Sequence, residues 1–155
     1  MKIILVSDTH GDNDILYELQ ARYGNECRYV HCGDLSDDPR HYPGWIVVRG
    51  NNDYWGDFQE HSVLKIEGHR IYVTHSHNCG YLNRTGCMVS LAKDNECDIV
   101  FYGHTHIAKH EYINGVHLIN PGSTRFPRDG EGPRFAIVNI DAANVDVQFK
   151  NINQL

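Results

Sequence analysis

The amino-acid sequence predicts an α/β fold of two sheets packed face to face with helices outside. Three observations lead there: a strand-helix-strand opening, a shift to β hairpins beyond residue 108, and metal-ligating residue types that recur just after short apolar runs. The runs Ile3-Ile4-Leu5-Val6, Arg28-Tyr29-Val30-His31-Cys32, Trp45-Ile46-Val47-Val48, Ile71-Tyr72-Val73-Thr74 and Ile99-Val100-Phe101-Tyr102 lead into five polar segments. In the same order these are Asp8-Thr9-His10, Gly33-Asp34, Gly50-Asn51-Asn52-Asp53, Thr74-His75-Ser76-His77 and Gly103-His104-Thr105-His106. Polar residues at the ends of buried strands are how an α/β sheet builds a site.

Taken in order, residues 2 to 7 read as a strand, Asn13 to Tyr23 as a helix and 28 to 32 as a second strand. Leu35 to Gly44, with Pro39, Pro43 and the Asp37-Asp38 pair, reads as a loop, and 45 to 48 as a short buried strand. Ser62 to Ile66 and Arg70 to Thr74 form a hairpin-like pair about Gly68, followed by a helix from Leu82 to Asn95 and a buried strand from Asp98 to Tyr102. Ala108 to Ile113 and Val116 to Ile119 flank Asn114-Gly115, a pair suited to a tight hairpin turn. Asn120-Pro121-Gly122-Ser123 is a loop, Thr124 to Pro133 an exposed connection, and Phe135 to Ile140 with Val145 to Lys150 a closing hairpin.

At 155 residues the chain is expected to be one domain, 1 to 155, large enough for a core without disulfides. With 41% hydrophobic and 22% charged residues it has an ordinary globular composition, and no apolar run approaches the roughly 20 residues of a membrane span. The start breaks into Ser7-Asp8 too early for a secretory signal, so a cytoplasmic location with no membrane partner is expected. Cys27, Cys32, Cys79, Cys87 and Cys97 include no Cys-x-x-Cys pair and are expected to be reduced thiols, Cys79 being a minor candidate for lining the site. The net charge of −6, with no cluster of Lys and Arg, argues against a long nucleic acid partner. A small phosphoester substrate stays open, because cations held among carboxylates make a locally positive pocket in an acidic molecule.

The spacing carries the chemistry. Asp8 and His10, like His104 and His106, are two apart, so on extended backbone both side chains leave the same face and can clamp one cation. A mixed imidazole and oxygen donor set points to a transition metal rather than calcium, and the lack of a cysteine ligand weakens the case for structural zinc. Glycines 33, 50 and 103 leave room for sharp turns and for metal and substrate.

With these blocks in order, the chain resembles the calcineurin-like metallophosphoesterase superfamily, whose motifs read Asp-x-His, Gly-Asp, Gly-Asn-His-Asp/Glu, a later His, and Gly-His-x-His. Asn120-Pro121-Gly122-Ser123 adds a likeness to its small one-domain, YfcE-type phosphodiesterases. The resemblance implies a four-layer αββα sandwich, the metallo-dependent phosphatase fold, with two mixed sheets flanked by helices. It places Asp8, His10 and His106 on one metal, Asn51, His75 and His104 on the other, and Asp34 between them. Two divalent ions are implied, manganese first, with nickel, iron or zinc as alternatives. A hydroxide shared by the metals is then the expected nucleophile for phosphodiester hydrolysis.

One position departs from the motif. Asn52 stands where many members carry the histidine that protonates the leaving group, and an amide cannot act as a general acid at neutral pH. Aryl esters are therefore expected to react better than alkyl ones. His77, two residues after His75, is read as contacting substrate or donating a proton, or as a loop histidine without substrate contact, and Asp53 as holding Asn52 or a ligand histidine, or as a turn residue. Tyr54 and Trp55 are read as stacking on a nucleoside or aryl group, or as packing and surface anchors, and Arg125 and Arg128 as reaching a second phosphate or a partner's acid, or as solvated loop charge. His31, His41, His61, His69, His110 and His117 are read as structural or solvated. The rival functions are a nucleotide or dinucleoside-polyphosphate hydrolase and, from another class, a non-catalytic scaffold like the retromer subunit of this fold. A homodimer is a further expectation.

Overall fold

The computed structural model describes residues 1–80 and 82–155. The chain forms β1 (Lys2–Val6), α1 (Asp14–Tyr23), β2 (Arg28–His31), β3 (Trp45–Val47), β4 (Ser62–Ile66), β5 (His69–Val73), α2 (Arg84–Asp94), β6 (Ile99–Phe101), β7 (Lys109–Ile113), β8 (Val116–Asn120), β9 (Arg134–Ile140) and β10 (Val145–Asn151). Each end lies within two residues of its sequence-based position. The strands build two mixed five-stranded sheets, ordered β10-β9-β1-β2-β3 and β4-β5-β6-β8-β7.

Three separate apolar clusters show how the layers stack. Ile3 and Leu5 of β1 point into the space between the sheets, where they meet Val30, Val73, Ile99, Phe101 and Val138. Their neighbours Ile4 and Val6 face the opposite way, under Ile15, Leu16 and Leu19 of α1. This period of two explains why β1 is apolar throughout: both of its faces are covered. Met88, Val89 and Ala92 of α2 cover the outer face of the second sheet at Tyr72, Val100 and Leu118. The result is helix, sheet, sheet, helix, the αββα order that the resemblance implied.

Turn chemistry sets the register of the hairpins. Asn114 and Gly115 both have positive φ (52° and 82°), the conformation of a two-residue turn that joins β7 to β8 with Ile113 opposite Val116. In the first sheet β1, β2 and β3 run parallel, and so do β5, β6 and β8 in the second. The five polar segments and the Asn-Pro-Gly-Ser loop all follow the carboxyl ends of these strands. That shared polarity brings segments distant in sequence to one end of the sandwich.

The thiol expectation requires a correction: Cys79 and Cys87 form a disulfide, and only Cys27, Cys32 and Cys97 are free. The bond ties the loop after His77 to the first turns of α2, and it takes the Cys79 sulfur out of consideration as a site-lining thiol. The residues are too far apart in sequence for a Cys-x-x-Cys reading, so only the packing of α2 against the loop reveals the pair. Reduction is expected to lower stability by about 2–3 kcal/mol, from the loop-closure entropy of a ring this short. Urea unfolding with and without dithiothreitol measures it, and Cys87→Ser is expected to abolish the difference. No helix among the described residues is long and apolar enough to cross a membrane.

Candidate metal centre

The spacing argument from extended backbone does not hold at the site. Asp8, His10, Asp34, His104 and His106 all have φ between 48° and 75°, in the left-handed region. β1 and β6 end before these residues, so the Asp-x-His and His-x-His pairs converge because the loops curl, not because a strand aligns them. Non-glycine residues held there cost free energy, and such residues concentrate where surrounding structure fixes a functional geometry. Two glycines permit the close approach of the loops: a Cβ on Gly50 would lie 2.1 Å from Asp34 Oδ1, and one on Gly103 would lie 2.1 Å from Ser7 Oγ.

The seven expected ligands come together in two adjoining nests. In the first, Asp8 Oδ1 lies 3.2 Å from His106 Nε2 and 3.7 Å from His10 Nε2, and the two imidazole nitrogens are 3.2 Å apart. In the second, Asn51 Oδ1 is 3.0 Å from both His75 Nε2 and His104 Nδ1, which are 3.2 Å from each other. Asp34 Oδ2 sits between the nests, 3.6 Å from His10 Nε2 and 3.4 Å from His75 Nε2. The gaps of 3.0–3.4 Å match the edges of a coordination polyhedron with bonds of about 2.1 Å, and the two from His10 to the carboxylates, 3.7 and 3.6 Å, are slightly wider.

Hydrogen bonds behind the ligands decide which atoms face the nests. His75 Nδ1 is bonded to the Cys32 carbonyl at 2.8 Å and His106 Nδ1 to the Phe126 carbonyl at 2.7 Å, so each ring donates backwards and turns its Nε2 lone pair inwards. Asp8 Oδ2 accepts from Ser7 Oγ at 2.6 Å and from the His104 amide at 3.0 Å, while the buried Oδ1 accepts no hydrogen bond. The Asp8 Oδ1, His75 Nε2 and His106 Nε2 lone pairs thus face a common space that positive charge would fill. Charge regulation agrees. Burial pushes the Asp8 carboxyl up, but the His10, His106 and His75 imidazoles and the Ser7 hydroxyl outweigh it and hold it well below the usual carboxylate range. Asp34 is likewise lowered, burial being outweighed by His75 and Asn52, and burial pushes His104 down to about 4, leaving a neutral donor. The donor set therefore fits divalent metal ions.

The remaining candidates lie around this cluster. Asn52 donates its amide N–H to Asp34 Oδ1 at 2.8 Å and its side-chain NH₂ to Oδ2 at 3.0 Å, so it braces the central carboxylate. His77 stands beside the second nest, its ring 5.4 Å from that of His75 and 6.4 Å from that of His104, with a buried Nδ1 that has no partner among the described residues. Asp53 contacts neither the Asn52 side chain nor a ligand histidine: Oδ2 accepts from the amides of Asp34 (2.9 Å) and Gly50 (2.7 Å), and Oδ1 from that of Ser36 (2.8 Å). Arg125 donates to the His10 carbonyl and lies 4.9 Å over the Phe126 ring, and the Arg128 amide bonds His106 O at 3.1 Å. The 124–133 connection is thus fastened across the His104–His106 loop rather than merely exposed.

Several supporting residues escaped the sequence reading. Buried Asn120 donates to Gly103 O (3.2 Å) and Thr105 Oγ1 (3.0 Å), and buried Ser123 donates to Asp8 O (2.8 Å), so the Asn-Pro-Gly-Ser loop locks two ligand loops together. The signal was the motif itself, four turn residues directly after a buried strand. His31, fully buried, accepts from the Gly33 amide at Nδ1 (3.0 Å), which leaves Nε2 to donate to Thr9 Oγ1 (2.9 Å). Burial pushes its pKa down to about 4. A depressed histidine contributes stability above pH 6.5 that is lost as pH falls through about 4, on the order of 3 kcal/mol for a shift of this size. Histidine NMR of the protein is accordingly expected to show His31 resonances unmoved from pH 8 to pH 5. Titration near pH 6.5 would contradict the assignment.

Comparison with known proteins completes the description. Residues 1–143 match the model of the calcineurin-like phosphoesterase superfamily domain. The chain belongs to that superfamily. This superfamily member is similar to the probable metallophosphoesterase YsnB of Bacillus subtilis, 33% identical over 152 residues that cover 96% of this chain and 90% of that one. It is 26% identical to the Escherichia coli phosphodiesterase YfcE, over 94% of this chain and 91% of that protein. Among solved structures, a conserved Streptococcus pneumoniae protein described as a predicted phosphoesterase superposes with a TM-score of 0.91 at 30% identity, covering 97% of this chain and 88% of that one. The family takes divalent metal ions, and this chain carries residue groups suited to hold them.

Proposed function

We propose that this phosphoesterase hydrolyses phosphodiesters at a centre of two divalent transition-metal ions, manganese by preference. One observation carries the reading: seven donors from five loops form two nests that share Asp34 Oδ2. When bound, the ions supply an acidified water as nucleophile and neutralise phosphoryl oxygens as charge builds. Asp8, His10 and His106 would hold one ion, Asn51, His75 and His104 the other, with Asp34 touching both. Asn52 braces Asp34 between the two nests through two hydrogen bonds. His77, its ring 5.4 Å from that of His75, would contact the substrate beside the second nest through Nε2, because Nδ1 is buried.

The test starts from metal-stripped protein assayed on an aryl phosphodiester before and after manganese. Hydrolysis that appears with the metal supports the reading, and none in either state assigns the chain to the scaffold class. Because no residue at position 52 can protonate a leaving group, aryl diesters are expected to turn over on the order of 10² to 10⁴ times faster than alkyl ones. His77→Ala is expected to lower kcat/KM about tenfold or more, and an unchanged value for both ester types would remove the residue from the site.

A further inference from the structure

The cavity that opens beside the first nest has a volume of about 390 Å³ and is lined by His10, Ser36, Asp37, Asn52, Asp53, Tyr54 and Trp55. That volume is within the range of small-molecule sites. On its inner side stands His10 of the first nest, with Asn52, which braces Asp34; its outer wall is aromatic. Tyr54 and Trp55 are 81% and 77% exposed, whereas the chain's other tryptophan, Trp45, is 8% exposed in the core. Two adjacent rings left in water at the mouth of a polar site forgo an aromatic burial that either would gain against a flat partner.

The rings are not on a loose tip. Arg49 donates to the carbonyls of Asp53 (2.6 Å) and Gly56 (3.2 Å), pairs with Glu60 at 2.8 Å and lies over the Phe58 ring at 5.2 Å. Asp53 fixes the near end of the loop through the Asp34, Ser36 and Gly50 amides. The neighbouring Asn52, which braces Asp34, ties the platform to the reacting centre in sequence. Charge narrows the ligand further. The cavity lining contains the Asp37 carboxylate, which accepts from Tyr42 O–H at 2.6 Å, and no Lys or Arg among the described residues. A second phosphate would meet repulsion there, while a neutral ring system bearing N–H and O–H donors would find an acceptor.

From this juxtaposition we infer that Tyr54 and Trp55 form a stacking platform for the base of a nucleoside esterified to the reacting phosphate. The inference rests on the proposed phosphodiesterase reading and names its substrate class: nucleoside phosphodiesters with one phosphate at the site, in preference to dinucleoside polyphosphates.

Calorimetric titration of the manganese-loaded protein with AMP and with methyl phosphate isolates the adenosine moiety, since both ligands carry the same phosphate dianion. AMP is expected to bind at least tenfold more tightly, and Trp55→Ala and Tyr54→Ala are each expected to reduce that AMP-to-methyl-phosphate ratio by roughly tenfold. Both side chains are exposed, so neither variant threatens folding. Equal affinity of the wild type for the two ligands, or a ratio unmoved in both variants, overturns the platform. Metal-dependent hydrolysis of an aryl diester is assayed on the same samples. If hydrolysis is present while the ratio is flat, the platform alone fails; if the ratio is present without hydrolysis, the phosphodiesterase reading fails and the platform stands as a nucleotide site.

Discussion

Asp34→Asn is expected to lower manganese-dependent phosphodiester hydrolysis by about 10³-fold or more, equivalent to ~4 kcal/mol of lost transition-state stabilisation. The argument is geometric. Asp34 Oδ2 lies within 3.6 Å of donors in both nests, His10 Nε2 on one side and His75 Nε2 on the other. An amide in its place removes a full negative charge and, if its NH₂ takes the Oδ2 position, aims two N–H groups at cations. Residues that only support metal ligands typically cost 10–100-fold when changed, and a carboxylate that would touch both proposed ions stands above that range. Calorimetry with manganese separates the explanations: the variant should bind the metal weakly or with reduced stoichiometry while keeping the wild-type circular dichroism spectrum. Full metal binding with unchanged kcat/KM would remove Asp34 from the centre.

Asp53→Ala is expected to have the largest effect on stability, although Asp53 is not a metal ligand in the proposed assignment. Its carboxylate is 4% exposed and accepts from three backbone amides, those of Asp34, Gly50 and Ser36. Alanine would leave the Asp34 and Gly50 N–H groups buried without an acceptor, at about 1–3 kcal/mol each, and hand the more exposed Ser36 amide to water. The sum is a large part of the total stability of an ordinary domain, about 5–15 kcal/mol. A fall in melting temperature on the order of 10 °C follows, at 2–4 °C per kcal/mol for a domain of this size. Manganese affinity should fall with it, because Asp34 and Gly50 belong to the two loops that the carboxylate holds in register. Asp53→Asn keeps one acceptor oxygen and is expected to be intermediate in both measurements. Unchanged urea unfolding of the alanine variant would show that the three amides find other acceptors.

How far the sequence reached is best seen in particular residues. The strand-helix-strand opening was legible because Ile3-Ile4-Leu5-Val6 is apolar at every position, as a strand covered on both faces must be. The β7–β8 hairpin was legible because Asn114-Gly115 tolerates two positive φ angles in succession. All seven ligand candidates were named in advance, and the fold brings all seven together. The reason first given for their spacing was nevertheless mistaken: the loops at Asp8, His10, His104 and His106 are left-handed, and no local pattern marks a non-glycine residue forced into that region. The partners of Asp53 were also misjudged, because Ser36 and Asp34 approach it from another loop. Cys79 and Cys87 gave no spacing signal for their bond, which depends on where α2 packs.

By itself, the sequence determined which side chains are the candidate ligands and which strands precede them, since residue type and short-range periodicity are local properties of a chain. Tertiary structure alone decided which lone pair of each ligand faces inward, which backbone amides Asp53 satisfies, and that Tyr54 and Trp55 stand at the mouth of the site. These depend on contacts between loops carried by different strands, such as His75 with Cys32 and Ser123 with Asp8, separated by 43 and 115 positions. Hydrogen bonds over such separations exist only after two sheets have packed and set the ends of their parallel strands side by side.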